Sequence, residues 1–235
     1  MKKAFTMIEL VFVLVIIGIL SSIIGQTTRT NPLQEAAIQL ASHIRYTQHL
    51  ALVDDRYNKN RKDDDDNVIW YKERWQLEFG KNDNSDDKVQ YTIFSDTAGN
   101  STGDANFDEI AINPQNNNQV MSGGHTGSVK LDITDKRFLG MKSLNIGKTY
   151  EIDSYELDGG CSGARISFDH LGRPFKGKQS SMDTPYNNGS SQRLVNKEEG
   201  CKIILTHISG DKVVLRITRE TGFVCILKTG TEVCQ

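Results

Sequence analysis

The 235 residues carry Lys+Arg 28 against Asp+Glu 30, giving a formal net charge of -2 and a pI near 6.2. Apolar residues make up 37% and mean hydropathy is -0.46, a polar composition but not a disordered one. The near-neutral charge argues against a broad basic face for phosphate or nucleic acid.

The hydrophobicity is concentrated at the start. Lys2 and Lys3 precede a run from Phe5 to Ile24 that is 20 residues long. That length suits a helix crossing a ~30 Å hydrocarbon layer. The leading lysines place the N-terminus in the cytoplasm and the rest of the chain outside it. A secretory signal, a plain anchor and an assembly segment compete for this stretch, and no A-x-A-like cleavage site follows it. Only the third explains Glu9. A carboxylate at bilayer depth costs roughly 2.5–3.5 kcal/mol unless it finds a partner. It lies one helical turn after Phe5. A cut between Ala4 and Phe5 would free an amine, and neighbouring copies could pair amine with carboxylate.

The string Lys2-Lys3-Ala4-Phe5-Thr6-Met7-Ile8-Glu9-Leu10, followed by an apolar run, resembles the class III signal of type IV prepilins and type II secretion pseudopilins. That resemblance implies cleavage between Ala4 and Phe5, N-methylation of Phe5, and Glu9 guiding assembly. Its implied partners are a prepilin peptidase/N-methyltransferase, other pilins or pseudopilins, an inner-membrane assembly platform and the membrane itself. One departure stands out: Ala4 occupies the place where the family usually has Gly.

Asn31-Pro32 reads as a cap followed by Pro at the first helical position. An amphipathic pattern then runs to about Val53, with Leu33, Ala37, Leu40, Ile44 and Ala51 on one face. The stretch resembles the matching helix of H-type minor pseudopilins and their FimT-type relatives. The resemblance implies one long helix of about 50 residues, loosened near Pro32.

After Asp54 the period changes to two. Ile69 to Phe79 reads as a long half-buried strand, broken once by Glu73, and Val89, Tyr91 and Ile93 form a second. Shorter strands are expected near Ile110–Ile112, Val129–Ile133, Tyr150–Leu157, Arg165–Phe168, Lys202–Ile208, Lys212–Thr218 and Phe223–Leu227. Ser209-Gly210-Asp211 joins two of them as a hairpin. Residues 81–87, 95–127 and 178–192 read as loops. The segments ISFDHLGRPF and CKIILTHISGDKVVLRITRETGFVCIL extend the H-type resemblance to the C-terminus. The expected fold is α+β: residues 1–4 a leader, 5–25 a membrane-spanning assembly helix, 26–54 its amphipathic continuation, and 55–235 an antiparallel β-rich head in the periplasm.

The four cysteines make no C-x-x-C. If Thr229-Gly230 is a two-residue turn, Cys225 faces Cys234 at disulfide distance. Cys161–Cys201 then follows by elimination. A disulfide near the C-terminus also fits the pilin resemblance.

Nothing marks an enzyme. The five histidines have no metal-binding spacing. Ser85-Asp86-Asp87-Lys88 and Lys228-Thr229-Gly230 spell β-lactamase motifs in the wrong context. Asp63–Asp66 reads as a solvated charge run. Asp104, Asn106 and Asp108 have calcium-loop spacing, but Glu109 stands where that loop needs Gly and Gln115 where it needs Glu. Arg165, Arg173, Lys176 and Lys178 form the one candidate basic cluster, in a chain made more acidic by loss of the leader. No cofactor is implied. The expected role is a minor pseudopilin of a type II secretion or type IV pilus filament. The alternatives are a type IV minor pilin in adhesion or competence, and a bitopic inner-membrane protein with a periplasmic binding head.

Overall fold

A computed structural model describes residues 6–27, 31–63, 65–81, 86–97, 103–124, 132–186, 194–195 and 197–235; within 20–27 only the backbone is described. The chain forms two units, Met1–Asn31 and Pro32–Gln235. The architecture is α+β, an N-terminal helix followed by a β-rich antiparallel domain.

The first unit holds α1 (Met7–Thr27). Its described apolar side chains, from Met7 to Ile19, are all exposed. Among the described residues no helix is long and apolar enough to cross a membrane, and the described side chains of α1 end at Ile19.

The second unit opens with α2 (Pro32–Val53). It buries Ala36, Ala37, Leu40, Ala41, Ile44, Thr47 and Ala51, a stripe at spacings of three and four. Small residues on the stripe let the helix sit close, while Leu40 and Ile44 supply volume. The stripe packs on strands of two four-stranded antiparallel sheets that share one core.

The first sheet has the order β2-β1-β6-β7, from β1 (Gln76–Gly80), β2 (Gln90–Phe94), β6 (Arg165–Phe168) and β7 (Pro174–Lys176). The second has the order β10-β9-β8-β5, from β5 (Ile152–Gly159), β8 (Cys201–His207), β9 (Lys212–Ile217) and β10 (Val224–Ile226). In β8 and β9 the alternation is regular. Cys201, Ile203, Leu205, Val213, Leu215 and Ile217 are buried, with half-buried or exposed residues between them. A small sheet pairs β3 (Ile112–Asn113) with β4 (Asn116–Val120).

Gln48 of α2 ties two turns together. Its Nε2 donates to the Gly172 carbonyl at 2.8 Å and the Thr221 carbonyl at 2.7 Å. Gly222 makes this closeness possible: its φ is +63°, and a Cβ there would lie 2.3 Å from the Gly172 oxygen.

Two expected strands and one expected loop are corrected. Ile69–Phe79 is not one strand: Trp70–Lys72 forms a 3₁₀ turn, and only Gln76–Gly80 joins a sheet. The cause is two charges that must be buried. Glu73 meets Arg61 Nε at 2.6 Å, and the Arg74 guanidinium lies 4.0 Å from the Phe175 ring centre while donating to the Pro185 carbonyl at 3.0 Å. In the expected strand Val129–Ile133, the described residues Asp132 and Ile133 are not in a strand. Residues 129–131 lie outside the described residues, and Ile133 sits in a turn where Asp132 accepts from Thr134. In the expected loop 95–127, the hairpin of β3 and β4 closes through Pro114-Gln115.

Candidate functional site

The helix α1 begins in a reciprocal cap. Thr6-Met7-Ile8-Glu9 has the T-x-x-E spacing in which the first residue caps the helix and the fourth reaches back. Thr6 N–H and Thr6 Oγ1 each donate to Glu9 Oε2 at 2.9 Å, and Glu9 N–H approaches Thr6 Oγ1 at 3.4 Å. Leu10 N–H closes the first turn on the Thr6 carbonyl at 3.3 Å. The carboxylate thus sits against the electropositive helix end, where free N–H groups concentrate. Sequence reasoning singled out Glu9 but missed Thr6 as its partner, although the T-x-x-E spacing was readable.

Around this cap the helix is apolar on every side. Leu10, Val11, Phe12, Leu14, Val15, Ile16, Ile17 and Ile19 are each more than half exposed. A helix apolar all round is at home only inside other apolar matter. Chemically the segment offers one fixed carboxylate next to an apolar rod, a design for polar register within a greasy assembly. Ala4 and Phe5 lie outside the described residues.

The remaining candidates are in the second unit. Cys161 and Cys201 are joined, with Cα atoms 4.9 Å apart, where Gly159 of β5 faces Cys201 of β8. Cys225 and Cys234 are also joined, at a Cα separation of 5.6 Å. The register differs from the expected one. Thr229-Gly230 does form the turn, closed by Thr231 N–H on the Lys228 carbonyl at 2.9 Å. The Thr231 hydroxyl then accepts from Val233 N–H at 3.3 Å, which lengthens the loop. Leu227, rather than Cys225, faces Cys234, so the disulfide is diagonal across the pair.

The spacing Asp104, Asn106, Asp108 does not form a ligand set. Asn106 uses its side-chain amide to donate to Glu109 Oε2 at 3.0 Å, and Asp104 Oδ1 lies 3.6 Å from Lys178 Nζ. Among the described residues no cluster of His, Cys, Asp or Glu can hold a metal. The basic cluster is largely neutralised: Arg165 pairs with Glu78 at 2.6 Å and Arg173 with Asp169 at 2.7 Å. Asp63 serves its own turn, accepting from Asn67 N–H at 2.8 Å, which lowers its pKa; Asp64 lies outside the described residues.

His43 sits in a buried hydrogen-bond network on α2. Its Nδ1 meets the buried Tyr91 hydroxyl at 2.7 Å, and burial pulls its pKa down to about 4. Gln39 Nε2 donates to the same hydroxyl at 3.0 Å. This network anchors α2 rather than facing a substrate cavity. His125 and Ser85 lie outside the described residues.

Residues 1–25 match the family model for the prokaryotic N-terminal methylation motif. No curated protein sequence and no solved structure matches the chain. The motif supports a type IV pilin-like protein: a prepilin-like precursor, processed by prepilin peptidase and assembled with other pilins. Such a motif marks a structural filament subunit, not an enzyme.

Proposed function

We propose that the chain is a minor pilin-like subunit of the pseudopilin kind, working in a type II secretion or type IV pilus filament. Residues 1–4 are its leader, 5–25 its membrane and assembly helix, 26–54 the amphipathic continuation and 55–235 the head. Prepilin peptidase cuts between Ala4 and Phe5 and methylates Phe5. The subunit waits in the inner membrane with its N-terminus cytoplasmic and its head periplasmic, then joins the filament from an assembly platform.

One observation carries this reading: within the methylation motif, a capped carboxylate at Glu9 opens a helix that exposes apolar side chains on every face. Packing such rods side by side buries them, and head-to-tail contact builds an open filament rather than a ring. The H-type likeness draws on the α2 stripe and on the hairpin order β6–β7, β8–β9, β10 toward the C-terminus. The disulfides Cys161–Cys201 and Cys225–Cys234 suit a head folded in an oxidising compartment.

The test is the mass of the mature N-terminal peptide from a membrane fraction. A peptide beginning at Phe5 with one added methyl is expected. An intact Met1, or a cut beyond Gly25, overturns the proposal in favour of a plain anchor or a secreted domain.

A further inference from the structure

The two main sheets end in four edge strands, and three of them are covered. Along β2, Ala111 N–H donates to the Ile93 carbonyl at 2.9 Å, Ile93 N–H to Met121 at 2.9 Å and Gly123 N–H to Tyr91 at 3.1 Å. Beside β7, Val195 N–H donates to the Pro174 carbonyl at 2.9 Å. On β10, Arg45 Nη2 takes the Val224 carbonyl and Gln235 N–H the Ile226 carbonyl, both at 2.9 Å.

Among the described residues, the fourth edge, β5, is covered only at its start. A register shift between Ile152 and Ser154 bulges the strand, and Lys81 Nζ donates to the Asp153 carbonyl at 2.8 Å. These are the ordinary protections of an edge. Beyond them the direction of each backbone group follows from the ladder. Gly160 N–H donates to the Gly200 carbonyl at 2.6 Å, so Asp158/Lys202, Glu156/Ile204 and Ser154/Thr206 are the hydrogen-bonded pairs with β8. Tyr155, Leu157 and Gly159 therefore turn their N–H and C=O groups away from β8. Among the described residues none bonds to them.

The side chains say what fits there. Exposed Glu156 and Asp158 line one face, following exposed Glu151 and Asp153. Lys202, opposite Asp158, is already engaged by Glu232 at 2.7 Å. On the other face Tyr155 and Leu157 are half-buried against the core. Pairing β5 with the same strand of a second copy would set carboxylates against carboxylates, which is unfavourable.

We propose that the free edge of β5, from Tyr155 to Gly159, is a docking site for an extended segment of a partner protein whose residues alternate basic and apolar. The segment adds as a fifth strand, its backbone bonding Tyr155, Leu157 and Gly159. Its basic residues lie over Glu156 and Asp158, and its apolar residues extend the Tyr155–Leu157 face. This goes beyond the filament reading and rests on the globular unit alone.

The test uses the full-length chain in nonionic detergent micelles and a fluorescent peptide of alternating Lys and Val, with empty micelles as blank. Saturable binding above the blank is expected, with amide exchange slowed at Tyr155 and Leu157. N-methylating alternate backbone amides of the peptide keeps its charge but removes its donors, and should weaken binding about tenfold or more. Glu156→Lys with Asp158→Lys should weaken the unmodified peptide about tenfold. Absence of binding, or equal binding by the N-methylated peptide, overturns strand addition. Unchanged binding by the charge-reversed variant overturns the basic partner.

Discussion

The two long helices are almost the same length, 21 residues in α1 and 22 in α2, yet they are held by different physics. Among the described residues the first is held by its own backbone bonds and the Thr6–Glu9 cap, and it shows apolar side chains on all sides. The second spends a narrow stripe of apolar residues on a core that two sheets complete. One helix is finished by its own domain. The other leaves its described apolar side chains uncovered. Changes in the first should therefore act on assembly and changes in the second on stability.

The sharpest division is expected from Glu9→Ala. Incorporation into filaments should fall about tenfold or more as the polar register contact goes. The head should melt within about 0.5 kcal/mol of the parent. A large drop in head stability would break the comparison.

Leu40→Ala should do the reverse. The side chain is fully buried, so the head should lose about 2–5 kcal/mol by denaturant titration. Ile38→Ala, two residues away and 56% exposed, should stay within about 0.5 kcal/mol.

The disulfides rank by the loop each closes. Cys161 and Cys201 are 40 apart in sequence, which in the chain-entropy model amounts to about 4 kcal/mol. Cys225 and Cys234 are 9 apart, for about 2.6 kcal/mol. Paired Cys→Ser variants should lose stability in that order, with no change in α1.

A pH profile tests the α2 anchor. Burial lowers the His43 pKa from 6.5 to about 4, so the unfolded chain binds the extra proton between those values. Stability from His43 therefore rises with pH across that window, by about 2 kcal/mol after allowance for partial solvation. Burial raises Asp96 from 3.8 to about 6, beside Glu109 and Glu73 and opposed by Gly103 N–H and Arg165. The folded chain then holds the extra proton, and stability from Asp96 falls as pH rises from about 4 to 6. The two slopes oppose each other. Burial also raises the pKa of Glu73 and of Glu78, which adds to the Asp96 slope. The test is therefore a difference: Asp96→Asn should gain stability relative to the parent as pH rises from 4 to 6.5.

The most local effect belongs to Thr6→Ala, about 1 kcal/mol of helix stability, read by amide exchange in the first turn.

The sequence spoke most plainly where one physical demand dominated. The apolar run, its lone carboxylate and the regular alternation of Cys201–His207 and Lys212–Ile217 each have a single explanation. It misled where two demands met. The alternation from Ile69 to Phe79 looks like a strand, but burying Glu73 and Arg74 required a turn that aims each at its partner. The strand Asn116–Val120 was invisible because four of its residues face outward or are only half-buried, leaving Val120 as its sole buried side chain. The short β7 begins at Pro174, a residue that usually argues against a strand and is tolerated at the first position of one.

The docking of α2 also fixes where this protein can be cut. Its stripe fills a trough between strands of both sheets, Gln48 reaches carbonyls on two turns, and Arg45 reaches one on β10. A fragment opening at Asn31 keeps that helix and should be a well-behaved secreted domain. One opening after Val53 leaves an empty trough, a large exposed apolar surface of the kind that aggregates. Such a fragment is half of a split protein, and α2 supplied as a free peptide should restore its solubility.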